Sequence, residues 1–137
     1  MREILFRGKR IDGGAWAEGC LIKVTLGGKT VYLIFGDDFT FDGTDVKALN
    51  HALVDPATVG QYTGLNAKGK KIFEGDILRG AVGDMVVFYG EIIGEGYGFH
   101  WKAVDGGACE SMTGFIDEYE IVGNIHDNPE LLEGGNT

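Results

Sequence analysis

Short apolar runs separated by glycine turns are the main pattern along this chain. Residues 97–104 alternate between apolar and polar side chains, and residues 30–35 (TVYLIF) are mostly β-branched or aromatic. Alternation with a period of two predicts a strand with one buried face, and β-branched and aromatic residues favour strands. The connection Leu26-Gly27-Gly28-Lys29 supplies the positive φ angles that a tight hairpin needs. The pattern therefore predicts β-hairpins.

The same pattern recurs every eight to twelve residues, which is typical of a small antiparallel barrel or sandwich. The predicted strands cover residues 1–9, 16–24, 30–35, 60–65, 72–73, 77–78, 85–89, 91–93, 97–104, 115–116 and 119–125. Gly90 is predicted to turn the chain between two of them, and residues 36–45 to form an exposed acidic loop. Residues 46–54 fit either a short helix or a strand. The fold class is all-β, mainly short antiparallel strands.

Two short helical turns are predicted within this all-β chain. Asp55 followed by Pro56 is the sequence of an N-cap and a first helical position. Asn128-Pro129 is expected to begin a second turn near the C-terminus. Within the second strand, Trp16, Ile22, and Leu21 or Cys20 are the candidates for burial.

Composition narrows the classes of function. The 137 residues include 24 glycines without a collagen period, and their length favours one domain. Twelve Lys and Arg against 21 Asp and Glu give a net charge of −9, which argues against a general binder of the nucleic-acid backbone. We find no export signal and no apolar run long enough for a membrane span. We therefore expect a cytoplasmic protein with Cys20 and Cys109 as reduced thiols.

Three segments of the chain resemble the YopX family, a group of small phage and prophage proteins. They are residues 2–19 (REILFRGKRIDGGAWAEG), 59–78 (VGQYTGL followed by KKIFEGDIL) and 122–132 (VGNIHDNPELL). The resemblance implies a β-rich fold with a small Src-homology-3-like barrel, and self-association. It implies no established enzymatic activity and supplies no catalytic residues. We predict a single YopX-like unit with an N-terminal β segment (1–54), the barrel (55–127) and a C-terminal turn and tail (128–137).

Two groups of side chains are candidates for contact with nucleic acid. A basic turn is formed by Lys68, Lys70 and Lys71, and an aromatic row by Tyr97, Phe99 and Trp101. Lysines can neutralise phosphates, and aromatic rings on a small barrel can stack on bases. A solvated hairpin tip explains the lysines better, because one basic turn is a weak electrostatic footprint in an acidic protein. The aromatic row is better explained as core or subunit interface.

Glu74 and Asp76 are candidates for paired-carboxylate chemistry, because two residues spaced by two share a face of an extended segment. Gly75 between them favours a structural corner whose carboxylates accept backbone N–H groups. The acidic loop lacks the spacing of a calcium loop. Metal-ligand spacing is also absent around the three histidines, His51, His100 and His126. No catalytic residue, cofactor or metal ligand is predicted.

The leading hypothesis is a non-enzymatic phage or prophage accessory protein that acts through protein–protein contacts as a homo-oligomer. Its partners would be further copies of itself and a phage or host protein, with no membrane involved. Two alternatives stay open. One is a single-stranded nucleic-acid-binding module that uses the lysines and the aromatic row. The other is a metal-dependent enzyme built around Glu74, Asp76 and His100.

Overall fold

The structure is a computed structural model that describes residues 4–36, 39–48, 51–80, 83–91, 97–105, 109–111 and 118–136. The strands within these ranges are β1 (Phe6–Lys9), β2 (Trp16–Leu26), β3 (Lys29–Phe35), β4 (Phe39–Phe41), β5 (Val46–Ala48), β6 (His51–Val54), β7 (Gly60–Ala67), β8 (Lys70–Phe73), β9 (Asp76–Gly80), β10 (Gly83–Glu91), β11 (Tyr97–Ala103), β12 (Cys109–Ser111) and β13 (Glu120–Asn124). A 3₁₀ turn covers Pro56–Thr58, and a 3₁₀ segment covers Pro129–Asn136. The all-β prediction is confirmed.

The chain divides into two compact units, Met1–Tyr62 and Thr63–Thr137. In the first unit the sheet has the order β6-β3-β2-β1, and the start of β7 lies beside β1. Ile34, Ala52 and Val54 form the buried cluster on its inner face. Just beyond β1, Arg10 forms an antiparallel bridge with Val54, so the sheet curls around this cluster.

The second unit contains the β7–β8 hairpin and a sheet with the order β12-β11-β10-β9-β13. Its core is apolar: Ala67, Ile72, Leu78, Met85 and Val87 are buried, and Leu65, Trp101, Tyr119 and Ile121 pack against them. At the edge of β9, Gly80 leaves room for the ring of Tyr119, since a Cβ at Gly80 would lie 2.2 Å from that ring. A glycine is therefore required at this position.

Several local predictions are confirmed. The Leu26–Lys29 connection joins β2 to β3 through Gly27 and Gly28, both at positive φ. Asp55 caps the 3₁₀ turn, because its carboxylate accepts the N–H of Ala57 at 3.0 Å.

Three predictions are changed by the pairing of strands in the structure. Gly90 does not turn the chain: it lies inside β10 opposite Gly98 of β11, where the ladder continues on both sides. Residues 36–45 are not simply a loop, because β4 pairs with β5 around a turn in which Asp42 accepts the N–H groups of Thr44 and Asp45. The ambiguous stretch 46–54 contains two strands, β5 and β6.

Neither main sheet closes into a barrel among the described strands, so the barrel implied by the resemblance is not seen. The predicted strands at 92–93 and 115–116 lie outside the described residues. In the part of the chain that the structure describes, no helix has the length and apolar character to cross a membrane.

Candidate interaction surfaces

The basic turn lies at the tip of the β7–β8 hairpin. Lys68 and Gly69 are its two central residues, with φ of 49° and 80°. Positive φ at both central positions is the geometry of a type I′ turn, whose twist matches the flanking strands. Lys68, Lys70 and Lys71 are all exposed. The tip is therefore a compact group of cations on a rigid turn.

The corner formed by Glu74, Gly75 and Asp76 is tied to its surroundings by backbone hydrogen bonds. The N–H of Gly75 donates to the carbonyl of Val87 at 2.8 Å, and the carbonyl of Gly75 accepts the N–H of Ile125 at 2.9 Å. Asp76 is only 2 % exposed, and its carboxylate accepts the N–H of Phe73 at 2.8 Å. Glu74 is half-buried. This is the geometry expected of a structural corner.

The aromatic row does not form one platform. Trp101 packs against the buried core of the second unit. Phe99 meets the ring of Tyr89 edge to face at 5.0 Å, and Tyr89 is 53 % exposed. The side chain of Tyr97 lies outside the described part of the molecule. Of the described side chains of this row, Phe99 lies beside an exposed aromatic ring, that of Tyr89, and Trp101 packs inward.

His100 points to the opposite face of β11 and is 2 % exposed. Its Nε2 lies 2.7 Å from the carbonyl oxygen of Gly90, and its ring is tilted against that of Phe88 at 5.4 Å. Nδ1 has no hydrogen-bond partner among the described residues. Asp76 begins β9 and His100 lies in β11, with β10 between them. Within the described ranges, no three His, Cys, Asp or Glu side chains are grouped so as to hold a metal ion.

An apolar row on the outer face of the first sheet was missed by the sequence reasoning. Ile22, Leu33 and Leu53 lie directly opposite one another on β2, β3 and β6. Ile22 is 43 % exposed and Leu53 is 46 % exposed, whereas Leu21 packs against the inner cluster. The expectation of burial therefore holds for Leu21 but is wrong for Ile22, and Cys20 is exposed. Because apolar residues occupy both alternating sets of positions in these strands, the sequence does not show which face of the sheet is buried.

The β2–β3 hairpin extends past its neighbours as a two-stranded arm. β1 pairs only with Trp16–Gly19 of β2, and β6 pairs only with residues 32–35 of β3. Residues 24–31 therefore have no third strand beside them among the described strands. We call residues 23–31 the β-arm. Leu26 near its tip is 71 % exposed, and the hydroxyls of Thr25 and Thr30 hydrogen-bond across it at 2.9 Å.

A small open cavity of about 180 Å³ lies where β1, β2, β3 and β6 end in the first unit. Its lining mixes charged, aromatic and small residues: Arg10, Trp16, Ala17, Glu18, Ile34, Gly36, His51 and Ala52. Arg10 donates from Nε to Asp12 at 3.0 Å, which raises the pKa of Arg10 and lowers the pKa of Asp12. The guanidinium is therefore already engaged by a carboxylate of its own chain.

A second basic group flanks this cavity. The Arg7 guanidinium lies 4.8 Å from the centre of the Trp16 ring, and the Lys9 ammonium lies 5.8 Å from it. Cations within about 6 Å of a ring face are attracted by its quadrupole. Trp16 therefore holds two cations in place on the outer face of β1 and β2.

The chain matches a known protein family. The family model described as YopX protein matches residues 28–133, which is most of the chain. The resemblance found in the sequence is thereby confirmed. No curated protein matches the chain.

Proposed function

The chain belongs to the YopX family, and from this premise we propose that it is a non-enzymatic phage or prophage accessory protein that acts through protein–protein contacts as a homo-oligomer. In this proposal it works in the cytoplasm of the bacterial host, where its thiols stay reduced. Its partners are further copies of itself and a phage or host protein.

The observation that supports the proposal is the outward apolar row on the first sheet. Ile11, whose N–H donates to the carbonyl of Leu53, extends this row and is 66 % exposed. Large apolar residues that line up on one sheet face are typical of a surface that binds protein. Ile22, Leu33 and Leu53 meet side by side on neighbouring strands.

The apolar side chains of this row limit the free energy of association that it can supply. Full burial of a Leu or Ile side chain contributes about 1.5–3 kcal/mol, so a side chain that is about half exposed contributes roughly 1 kcal/mol on contact. Ile11, Ile22 and Leu53 on two copies together therefore supply about 6 kcal/mol. Association itself costs about 4–15 kcal/mol. The row alone supports weak association, and tight assembly requires a further contact.

Light scattering on protein eluting from a size-exclusion column tests the proposal. We expect a mass above that of the monomer, and we expect the variant Ile22→Thr/Leu53→Thr to shift toward the monomer. Ile4→Thr is the matched control, because Ile4 is 64 % exposed but lies outside the row. A wild-type protein that stays monomeric at its highest soluble concentration would refute the proposal.

A second candidate function is binding of single-stranded nucleic acid through the exposed lysines of the β7–β8 tip. It predicts retention of single-stranded DNA or RNA that falls with rising salt and with Lys68→Glu/Lys70→Glu. The absence of retention at low salt would end this candidate. Burial of Trp101 against the core leaves fewer rings available for stacking.

A further inference from the structure

Charge is unevenly distributed along this acidic chain. Residues 20–36 contain two lysines, Lys23 and Lys29, and no Asp or Glu. Residues 103–137 contain eight Asp and Glu and no Lys or Arg. The chain, whose net charge is −9, therefore contains one basic segment and one acidic segment. Segments of opposite sign attract each other between molecules and set the orientation of contact.

The basic segment includes the β-arm, in which residues 24–31 have no third strand beside them among the described strands. A two-stranded ribbon is marginally stable in water unless a third strand or another surface covers it. Lys23 and Lys29 are both exposed and lie on either side of Leu26 in the chain, and Leu26 is 71 % exposed. Lys29 lies directly opposite Leu26 and shares its face of the ribbon, whereas Lys23, opposite Tyr32, lies on the other face. The arm therefore presents an exposed apolar side chain beside one cation and carries a second cation on its other face.

The acidic segment ends in a turn whose charge is opposite to that of the β-arm. In the 3₁₀ segment Pro129–Asn136, Leu132 is 42 % exposed, and Glu130 and Glu133 on either side of it are exposed. Backbone hydrogen bonds hold the segment's start: the N–H of Leu131 donates to the carbonyl of Asn128 at 3.0 Å. Leu132 is therefore presented from a fixed turn.

The start of this turn is itself anchored on β13. The N–H of Asn128 donates to the carbonyl of Asn124 at 2.9 Å, and its side-chain oxygen accepts the N–H of Asn124 at 3.2 Å. The side-chain oxygen of Asn124 also accepts the N–H groups of His126 and Asp127 at 3.0 and 2.9 Å. The turn is an ordered surface that can be recognised without folding on contact.

We propose that the β-arm of one copy docks on the Glu130–Glu133 turn of a second copy, with Leu26 against Leu132, Lys29 beside the two glutamates, and Lys23 adding to the positive charge of the arm. This inference rests on the proposed homo-oligomer and names its contact. A second copy fits as the occupant because the chain carries both halves of the complementary pattern. The contact between the arm and the turn also adds binding free energy to that of the outer apolar row, which is too small for tight assembly by itself.

Charge reversal with rescue tests the contact. The dissociation constant of self-association is measured by sedimentation equilibrium for the full-length wild type, Lys23→Glu/Lys29→Glu, Glu130→Lys/Glu133→Lys and the fourfold variant. We expect each double variant to weaken self-association at least about tenfold, because like charges then face each other. The fourfold variant restores the attraction with exchanged signs, so we expect its affinity to return to within about threefold of wild type.

The matched control is Lys68→Glu/Lys70→Glu, which changes the net charge by the same amount on an exposed turn of the second unit. We expect it to leave the dissociation constant unchanged, and circular dichroism to show that every variant is folded. Arm variants that self-associate as tightly as wild type would overturn this inference while leaving the homo-oligomer intact. Failure of the fourfold variant to recover would overturn the pairing of the arm with the C-terminal turn. A monomeric wild type would overturn both proposals.

Discussion

Removing the carboxylate of Asp76 tests whether the Glu74–Asp76 corner is structural. Asp76 is 2 % exposed and accepts the N–H of Phe73 at 2.8 Å. Asp76→Ala leaves this buried N–H without that partner, which costs about 1–3 kcal/mol. For a chain of this length, we expect a Tm lower by about 4–12 °C, at about 4 °C per kcal/mol. Thermal unfolding followed by circular dichroism measures the shift.

Glu74→Ala is the control for Asp76→Ala. Glu74 is half-buried, so water can replace its carboxylate and we expect a clearly smaller loss of stability. A functional pair of carboxylates would behave differently, because removing either one relieves the repulsion between like charges. An increase in Tm for Asp76→Ala, or equal effects of the two substitutions, would refute the structural reasoning.

Two further predictions concern one site in each unit. Gly19→Ala should abolish soluble folded protein, because its Cβ would lie 1.9 Å from the carbonyl oxygen of Phe35; Gly36→Ala, which has open space, should express as wild type. The hydrogen bond from Arg79 to Asp84, 2.7 Å from Nε to the carboxylate, lowers the pKa of Asp84. This contribution to stability is present above about pH 3.9 and is lost as the pH falls through the lowered pKa. Asp84→Asn should therefore lower the Tm at pH 7 and have less effect at pH 2, and an equal effect at both pH values would contradict this.

Features set by neighbouring residues could be predicted from the sequence. The Gly27-Gly28 hairpin and the cap of Asp55 on its 3₁₀ turn depend only on local backbone chemistry. The corner hydrogen bond of Asp76 to the N–H of Phe73 is also local. Such features need no knowledge of which strands pair.

Features set by distant pairing could not be predicted. Gly90 looks like a turn until Gly98 is known to lie opposite it within a continuous ladder. Likewise, Leu21 and Ile22 are equally apolar, and only the packing of the folded sheet shows that Leu21 lies on the side of the buried cluster. Alternation indicates that there are two faces and leaves open which one is inside.

The same distinction explains why the candidate surfaces changed between sequence and structure. The lysines of the β7–β8 tip stand out in the sequence because they are adjacent, yet their turn joins two strands that already pair with each other. The two lysines of the β-arm are six residues apart in the sequence, but Lys29 lies on the part of the ribbon, residues 24–31, that no third described strand covers, and Lys23 lies at its base. An element that is stable without a partner gains little from binding, whereas a marginal ribbon gains both buried apolar area and order. The arm is therefore the better docking element, although it carries fewer charges than the tip.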